Sequence, residues 1–205
     1  MPIIKSIEQY KGRTMKLVLD EGEPVFINAD ILLQFNLKSG MNIPAAAIEE
    51  ITSADTRRKA RERAMYLLDY RDYSYAEMVE KLTGTYGEDI AFDTADELAA
   101  KGFLNDRRYA EMLARRLCEG KLLGYFRAKP YMREKGIPAA VIEQALAEYT
   151  DSAPERAAAL ARKKYMKYYD PDDRKAMQKL KAALVRSGYS FSEAAEAIEM
   201  LAEEE

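Results

Sequence analysis

KGFLNDRRYAEMLARRLCEGKLLGYFRAKPYMREKGI, residues 101–137, decides the fold of this 205-residue chain. It opens and closes on a lysine, a glycine and an apolar residue, Lys101-Gly102-Phe103 and Lys135-Gly136-Ile137. Such a trio finishes a helix: the lysine faces the negative end of the helix dipole, the glycine takes the left-handed position after the last turn, and the apolar residue folds back. Two helices therefore lie between the trios. Asp106 is expected to cap the first, along which Tyr109, Met112, Leu113 and Leu117 recur at helical spacing as one buried stripe. The remaining faces are basic. Arg107, Arg108, Arg115, Arg116, Lys121, Arg127, Lys129, Arg133 and Lys135 stand against Asp106, Glu111, Glu119 and Glu134, in a chain whose formal net charge is −3.

Working outward, the pattern returns. The spacing predicts helices over 107–120, 125–135 and 138–149, and again over 155–169, 172–187 and 191–203. Ala128, Met132 and Gly136 correspond to Leu180, Leu184 and Gly188 at an offset of 52, and Met78 and Leu82 precede Ala128 and Met132 by 50. Asp170-Pro171 is expected to open the middle helix of the last repeat, Ser187-Gly188-Tyr189 to close it, and Ser190 with Glu193 to form a capping box. Its first two helices are basic as well, with Arg162, Lys163, Lys164 and Lys167 set among Tyr165, Tyr168 and Tyr169. The acidic residues gather instead on the last helix, at Glu193, Glu196, Glu199 and Glu203 to Glu205.

Upstream, a capping box at Ser74 and Glu77 starts a helix that buries Met78 and Leu82 and is broken by Gly84 and Gly87. A helix over about 88–101 follows, with Ile90, Ala91, Ala95 and Leu98 inward. Before these, a run of helix formers from Pro44 to Asp69 contains the basic segment Arg57 to Arg63. Residues 3–28 alternate as three short strands with turns at Lys11-Gly12-Arg13 and Asp20 to Pro24, an antiparallel meander, and Ala29 to Phe35 form a short helix. The expected architecture is mainly α, a solenoid-like array of three three-helix repeats (53–104, 105–150 and 151–205) behind a small β-rich N-terminal domain (1–52) that is acidic and separable.

Composition removes several functions. No histidine is present, so Ser-His and Cys-His catalysis and His-based metal sites are excluded, and the single cysteine, Cys118, reads as a packed thiol. No glycine-rich phosphate loop occurs, the acidic pairs fall at caps and tails, and neither a cofactor nor a metal is expected. No apolar run is long enough to span a membrane and the N-terminus lacks a cleavable signal layout, which places the chain in the cytoplasm.

Leu104-Asn105-Asp106 with Tyr109-Ala110, then Gly124 with Arg127, then Lys135-Gly136-Ile137, stand at the spacing of the RecX family of bacterial regulatory proteins, which this chain resembles from Ala60 to about Leu201. Its strand-rich start resembles the N-terminal extension of longer members from Gram-positive bacteria. It departs from the family at Ala128 and Tyr131, where a branched aliphatic and a carboxylate are usual, and at Pro130, which should kink the second helix or delay its start to about Ala128. The resemblance implies a non-enzymatic monomer that lies along the groove of a RecA filament on single-stranded DNA, inhibits ATP hydrolysis and strand exchange, and so modulates recombination, repair and the SOS response. Its contacts would be Arg107, Arg108, Arg115, Arg116, Lys121, Arg127, Lys129, Arg133, Lys135, Arg162, Lys163, Lys164 and Lys167, with weak binding of single- and double-stranded DNA. Two other readings compete: a sequence-nonspecific nucleic-acid-binding repeat that acts without a recombinase, and a protein scaffold whose basic stripes only solubilise it.

Overall fold

In the computed structural model, which describes residues 2–203, the chain is mainly helical, with three-helix repeats behind a small three-stranded sheet. Glu204 and Glu205 of the acidic tail lie outside the described residues. The chain divides into two compact units, Met1–Arg71 with Val79–Glu97, and Asp72–Met78 with Leu98–Glu205.

The first unit holds β1 (Ile4–Lys11), β2 (Thr14–Leu19) and β3 (Val25–Asn28), antiparallel in that order, with Ile7 opposite Leu17 and Met15 opposite Ile27. One face carries Ile4, Leu17 and Ile27 into a core closed by Ile31 of α1 (Ala29–Gln34), by Leu37 and Ile43, and by Ile51 of α2 (Ala45–Leu68). Thr52 lies inside this one continuous helix, as the unbroken run from Pro44 to Asp69 suggested. Asp55, one turn further along α2, is only 2% exposed. It accepts hydrogen bonds from the Asn28 amide (3.0 Å) and from Arg58 Nε (3.1 Å), and pairs with Lys59 Nζ at 2.8 Å. The basic segment Arg57 to Arg63 is largely answered within the unit, with Arg57 paired to Asp93, Arg58 to Glu62, and Arg61 to Glu97 at 2.8 Å. Helix α3 (Tyr75–Tyr86) runs through Gly84, where the sequence suggested a break; a glycine inside a helix costs only about 1 kcal/mol, and Gly87, with φ +84°, is what ends it. Helix α4 (Glu88–Ala100) follows, with Ala91, Ala95 and Leu98 buried.

The second unit contains α5 (Asp106–Arg115), α6 (Tyr125–Glu134), α7 (Ala139–Ala147), α8 (Ala153–Leu160), α9 (Arg174–Arg186) and α10 (Phe191–Glu203). Each repeat has its own apolar core: Tyr109, Leu113, Leu117, Met132 and Ile142 in one, Leu160, Leu180, Leu184, Tyr189 and Leu201 in the other. Both capping boxes form, Glu77 N bonding Ser74 Oγ at 3.0 Å and Ser190 N bonding Glu193 Oε2 at 2.6 Å.

Several sequence expectations need correction. Asn105, not Asp106, caps α5, its side chain accepting from the Arg108 amide at 3.0 Å, because the Asp106 carboxylate is taken by the Tyr75 amide at 2.8 Å. Met112 is 38% exposed, since the buried stripe is centred on Tyr109, Ala110, Leu113, Ala114 and Leu117 and Met112 falls at its edge. After Gly102 the buried residue is Leu104 rather than Phe103. Neither first helix stays α-helical: α5 passes into a turn of π-helix at Arg116–Gly120, and α8 into one at Ala161–Tyr165 followed by a 3₁₀ turn at Met166–Tyr168. Asp170-Pro171 lies in the turn before α9, which Asp173 caps by accepting from the Lys175 amide at 2.7 Å. Helix α6 begins at Tyr125 and carries Pro130 within it.

The glycine trios do more than end helices. The amides of Gly124 and Phe126, at the start of α6, bond the carbonyls of Ser187 and Gly188, at the end of α9, each at 3.0 Å. A Cβ on Gly124 would stand 2.2 Å from the Gly188 carbonyl oxygen. One repeat earlier the same joint recurs: Ser74 Oγ donates to the Lys135 carbonyl, and a Cβ on Gly136 would meet the Ala76 side chain at 2.6 Å. The positive start of each second helix thus sits on the negative end of the next one.

Candidate filament and nucleic-acid interface

All thirteen basic residues singled out from the sequence belong to the second unit, and the structure sorts them by partner. Four are held within the chain. Arg107 pairs with Glu111 (3.1 Å) and Arg108 with Asp72 (3.8 Å) on open surface, where such pairs contribute little and exchange readily. Lys129 lies between Glu143 (2.5 Å) and the Tyr125 hydroxyl (2.8 Å), whose bonds to the ammonium raise its pKa, and Lys135 is held by Glu77 at 3.1 Å.

Arg116, Lys121 and Arg127 converge. In a π-helical turn each amide reaches back five residues instead of four, as Lys121 does to the Arg116 carbonyl at 3.1 Å, and the extra residue re-aims the side chains that follow. Leu122 then turns the chain with φ +54°. Arg116 Nη2 reaches the Tyr131 hydroxyl at 3.1 Å and Lys121 Nζ lies 5.6 Å from the centre of the same ring. Tyr131 therefore gathers two cations without neutralising either. A depression of about 410 Å³ opens beside it, with Arg127, Pro130 and Glu134 on its walls.

A second depression, of about 510 Å³, lies on the last repeat, lined by Tyr168, Lys175, Gln178, Lys179, Ala182 and Arg186. Lys167 Nζ stands 4.9 Å from the centre of the Tyr168 ring. Lys175, Lys179 and Arg186 share the exposed face of α9 opposite Leu180, Ala183 and Leu184. Sequence reasoning included them in the charge of this repeat without selecting them. The signal available was their i, i+4, i+11 spacing beside a tyrosine. Like charges one turn apart disfavour a helix by about 0.2–0.5 kcal/mol per pair, so a face of this kind is arranged for a partner rather than for the helix.

Arg115, Arg133, Lys163 and Lys164 are exposed and bring no second cluster together, and Arg162 accompanies them on the π-turn of α8. Arg108 and Arg115 face away from the buried stripe of Tyr109 and Leu113. Burial raises the pKa of Cys118 and Tyr149 and pushes Tyr189 up to about 12, and the Tyr189 hydroxyl donates to the Leu122 carbonyl at 3.0 Å. Among the described residues no group of three or more His, Cys, Asp or Glu is placed to hold a metal, and no helix is long and apolar enough to cross a membrane.

Comparison with known proteins gives a consistent result. Residues 105–146 match the second three-helix domain of RecX and residues 151–198 the third. The regulatory protein RecX of Streptococcus sanguinis is 30% identical over 205 residues, spanning 98% of this chain and 78% of that one. RecX of Geobacillus kaustophilus is 29% identical over 191 residues, spanning 91% and 71%. A crystal structure of a regulatory protein RecX superposes with a TM-score of 0.76 at 26% identity over 96% of this chain and 98% of the other, and RecX from Lactobacillus salivarius with 0.67 at 28% identity over 72% and 97%.

Proposed function

The chain belongs to the RecX family of regulatory proteins, and from that premise we propose that it binds a RecA filament assembled on single-stranded DNA and inhibits its ATP hydrolysis and strand exchange. It acts without catalysis of its own, as a cytoplasmic monomer. The observation that carries the contact surface is the pair of tyrosine-centred basic depressions, Arg116, Lys121 and Arg127 about Tyr131 and Lys167, Lys175, Lys179 and Arg186 about Tyr168. A filament repeats its contacts at fixed spacing, so two modest patches on one chain engage it by avidity. Tyrosine beside arginine or lysine suits DNA phosphate and base as well as acidic protein surface.

The test is RecA ATPase on single-stranded DNA with substoichiometric protein. The unaltered chain should slow hydrolysis. The double variants Arg116→Glu with Lys121→Glu, and Lys175→Glu with Lys179→Glu, should each lose at least tenfold in inhibitory potency and in co-sedimentation with the filament. Melting temperature should hold, because exposed substitutions seldom change stability by more than ~0.5 kcal/mol. Inhibition by both variants equal to that of the unaltered chain would move the site elsewhere. Salt separates the partners: a contact dominated by phosphate weakens in proportion to the logarithm of salt concentration, with a slope set by the number of phosphates met.

A further inference from the structure

A third cleft on the second unit shares Phe126 with the depression beside Tyr131 but none of the cations of either basic depression. It has about 300 Å³ of space, at the low end for small-ligand sites, and its walls include Cys118, Tyr125, Phe126, Tyr149, Arg156 and Glu193. The first three belong to repeat two and Glu193 opens α10, so both repeats build it.

Three rings and one opposed pair of charges define its chemistry. Phe126 is 62% exposed and meets Tyr125 edge to face at 5.3 Å, leaving an aromatic face at the rim. The Arg156 guanidinium is anchored by Nη1 on Ser152 Oγ (2.6 Å) and lies 5.4 Å from the centre of the Tyr149 ring. Its Nε is buried and has no hydrogen-bond partner. A buried donor left in that state weakens the fold, and a ligand acceptor at that point removes the cost. Glu193 spends Oε2 on the Ser190 amide at 2.6 Å and has its other oxygen to accept with. A simple anion would meet the carboxylate and a simple cation the guanidinium. A neutral planar ring with acceptors on one edge and donors on the next satisfies both.

We infer that this cleft binds a single unstacked nucleobase, guanine by its hydrogen-bonding edges, with Arg156 donating to O6 or N7 and Glu193 accepting from N1–H or the 2-amino group while the ring lies on Phe126. Arginine on the O6/N7 edge is the commonest specific contact to this base, and stacking on an aromatic side chain adds affinity for any base. The inference stands on the cleft alone, so its failure leaves the filament reading untouched.

Titration of the isotope-labelled protein with guanosine, inosine, adenosine and cytidine, followed by amide chemical shifts, tests it. Guanosine should shift the amides of Tyr149, Ala153 and Glu193 saturably and bind at least tenfold more tightly than adenosine or cytidine. Inosine, which lacks the 2-amino group, should fall between. Phe126→Ala, an exposed change, and Glu193→Gln, which retains the capping box, should each weaken guanosine at least fivefold with the melting temperature unchanged. Equal binding of all four nucleosides, or guanosine binding unaffected by both variants, overturns the proposal. A dodecamer of thymidine with one central dG tells the source of the base: tighter binding than guanosine means a base within a strand, and no gain means a free nucleoside or nucleotide.

Discussion

Two carboxylates respond to acid in opposite directions. Burial works to raise the pKa of Asp55, but the bonds from Lys59, the Asn28 amide and Arg58 outweigh it and hold the value below the ordinary 3.8. The stability it contributes is complete above that value and is lost as pH falls through the lower, folded one. Burial, with Glu77 nearby, raises the pKa of Asp106 despite the Tyr75 amide. Its charged form is disfavoured in the fold, so its contribution improves as pH falls through the raised value. Asp55→Asn should therefore cost ~2 kcal/mol at pH 7, the range for bonds to a charged group, should cost nearly as much at pH 4, and should converge on the unaltered chain only as pH falls through the lowered value that Asp55 has in the fold. Asp106→Asn keeps the acceptor for Tyr75, should stabilise at pH 7, and should lose that advantage towards pH 4. Denaturant melts at pH 7, at pH 4 and at about pH 2 check both, and parallel pH curves for the two variants would contradict them. On α5, Tyr109→Ala should cost ~3 kcal/mol, since it removes a buried ring that also bonds Glu77, and Arg115→Ala well under 1 kcal/mol. The reverse order in thermal melts would mean that α5 is rotated from the orientation described.

At the scale of elements, what could be read in the sequence was local. The trios at Gly102, Gly136 and Gly188 and the boxes at Ser74 and Ser190 depend on residues within five positions of one another, and they form, with the one change that Leu104 rather than Phe103 is buried after Gly102. What could not be read depends on distant partners or on small differences in helix winding. Asp106 is a good cap by type, but an amide 31 residues away claims it, and its neighbour Asn105 takes the role. The π-turns leave no local signal in composition, yet they aim Arg116 and Lys121 at Tyr131. The basic character of the surface was therefore visible, while its division into two depressions was not, and Lys175, Lys179 and Arg186 went unselected because Tyr168 reaches them only through the turn before α9. Proline at position 130 lacks an amide for the Phe126 carbonyl, and a Pro130→Ala variant should accordingly gain up to ~3 kcal/mol if the helix there is regular. Little or no gain in a melt would show that the wall of the first depression already accommodates it.

For the whole molecule, sequence repeat and contact unit do not share boundaries. We propose that the divisions 1–52, 53–104, 105–150 and 151–205 describe ancestry and function, whereas folding follows the two contact units. A chain starting at Thr52 lacks Ile51 and the Asn28 amide, and should lose the helicity of α2 while the second unit keeps its own transition. Two transitions identical to those of the full chain would place a folding boundary at 52 after all. The joints give the second unit its coherence. Gly188→Ala meets both a φ of +99° and the Arg127 backbone 2.5 Å from the added Cβ, and should cost about 2–5 kcal/mol, the sum of left-handed strain and overpacking.

The joint also provides a clock. The Gly124 and Phe126 amides are bonded by carbonyls of the following repeat, not by their own helix. Their hydrogens can therefore trade with deuterium only when one repeat parts from the next, even while both stay folded. Their exchange rate measures that parting directly. A partner that grips both repeats at once must slow it, and one that grips a single repeat leaves it unchanged.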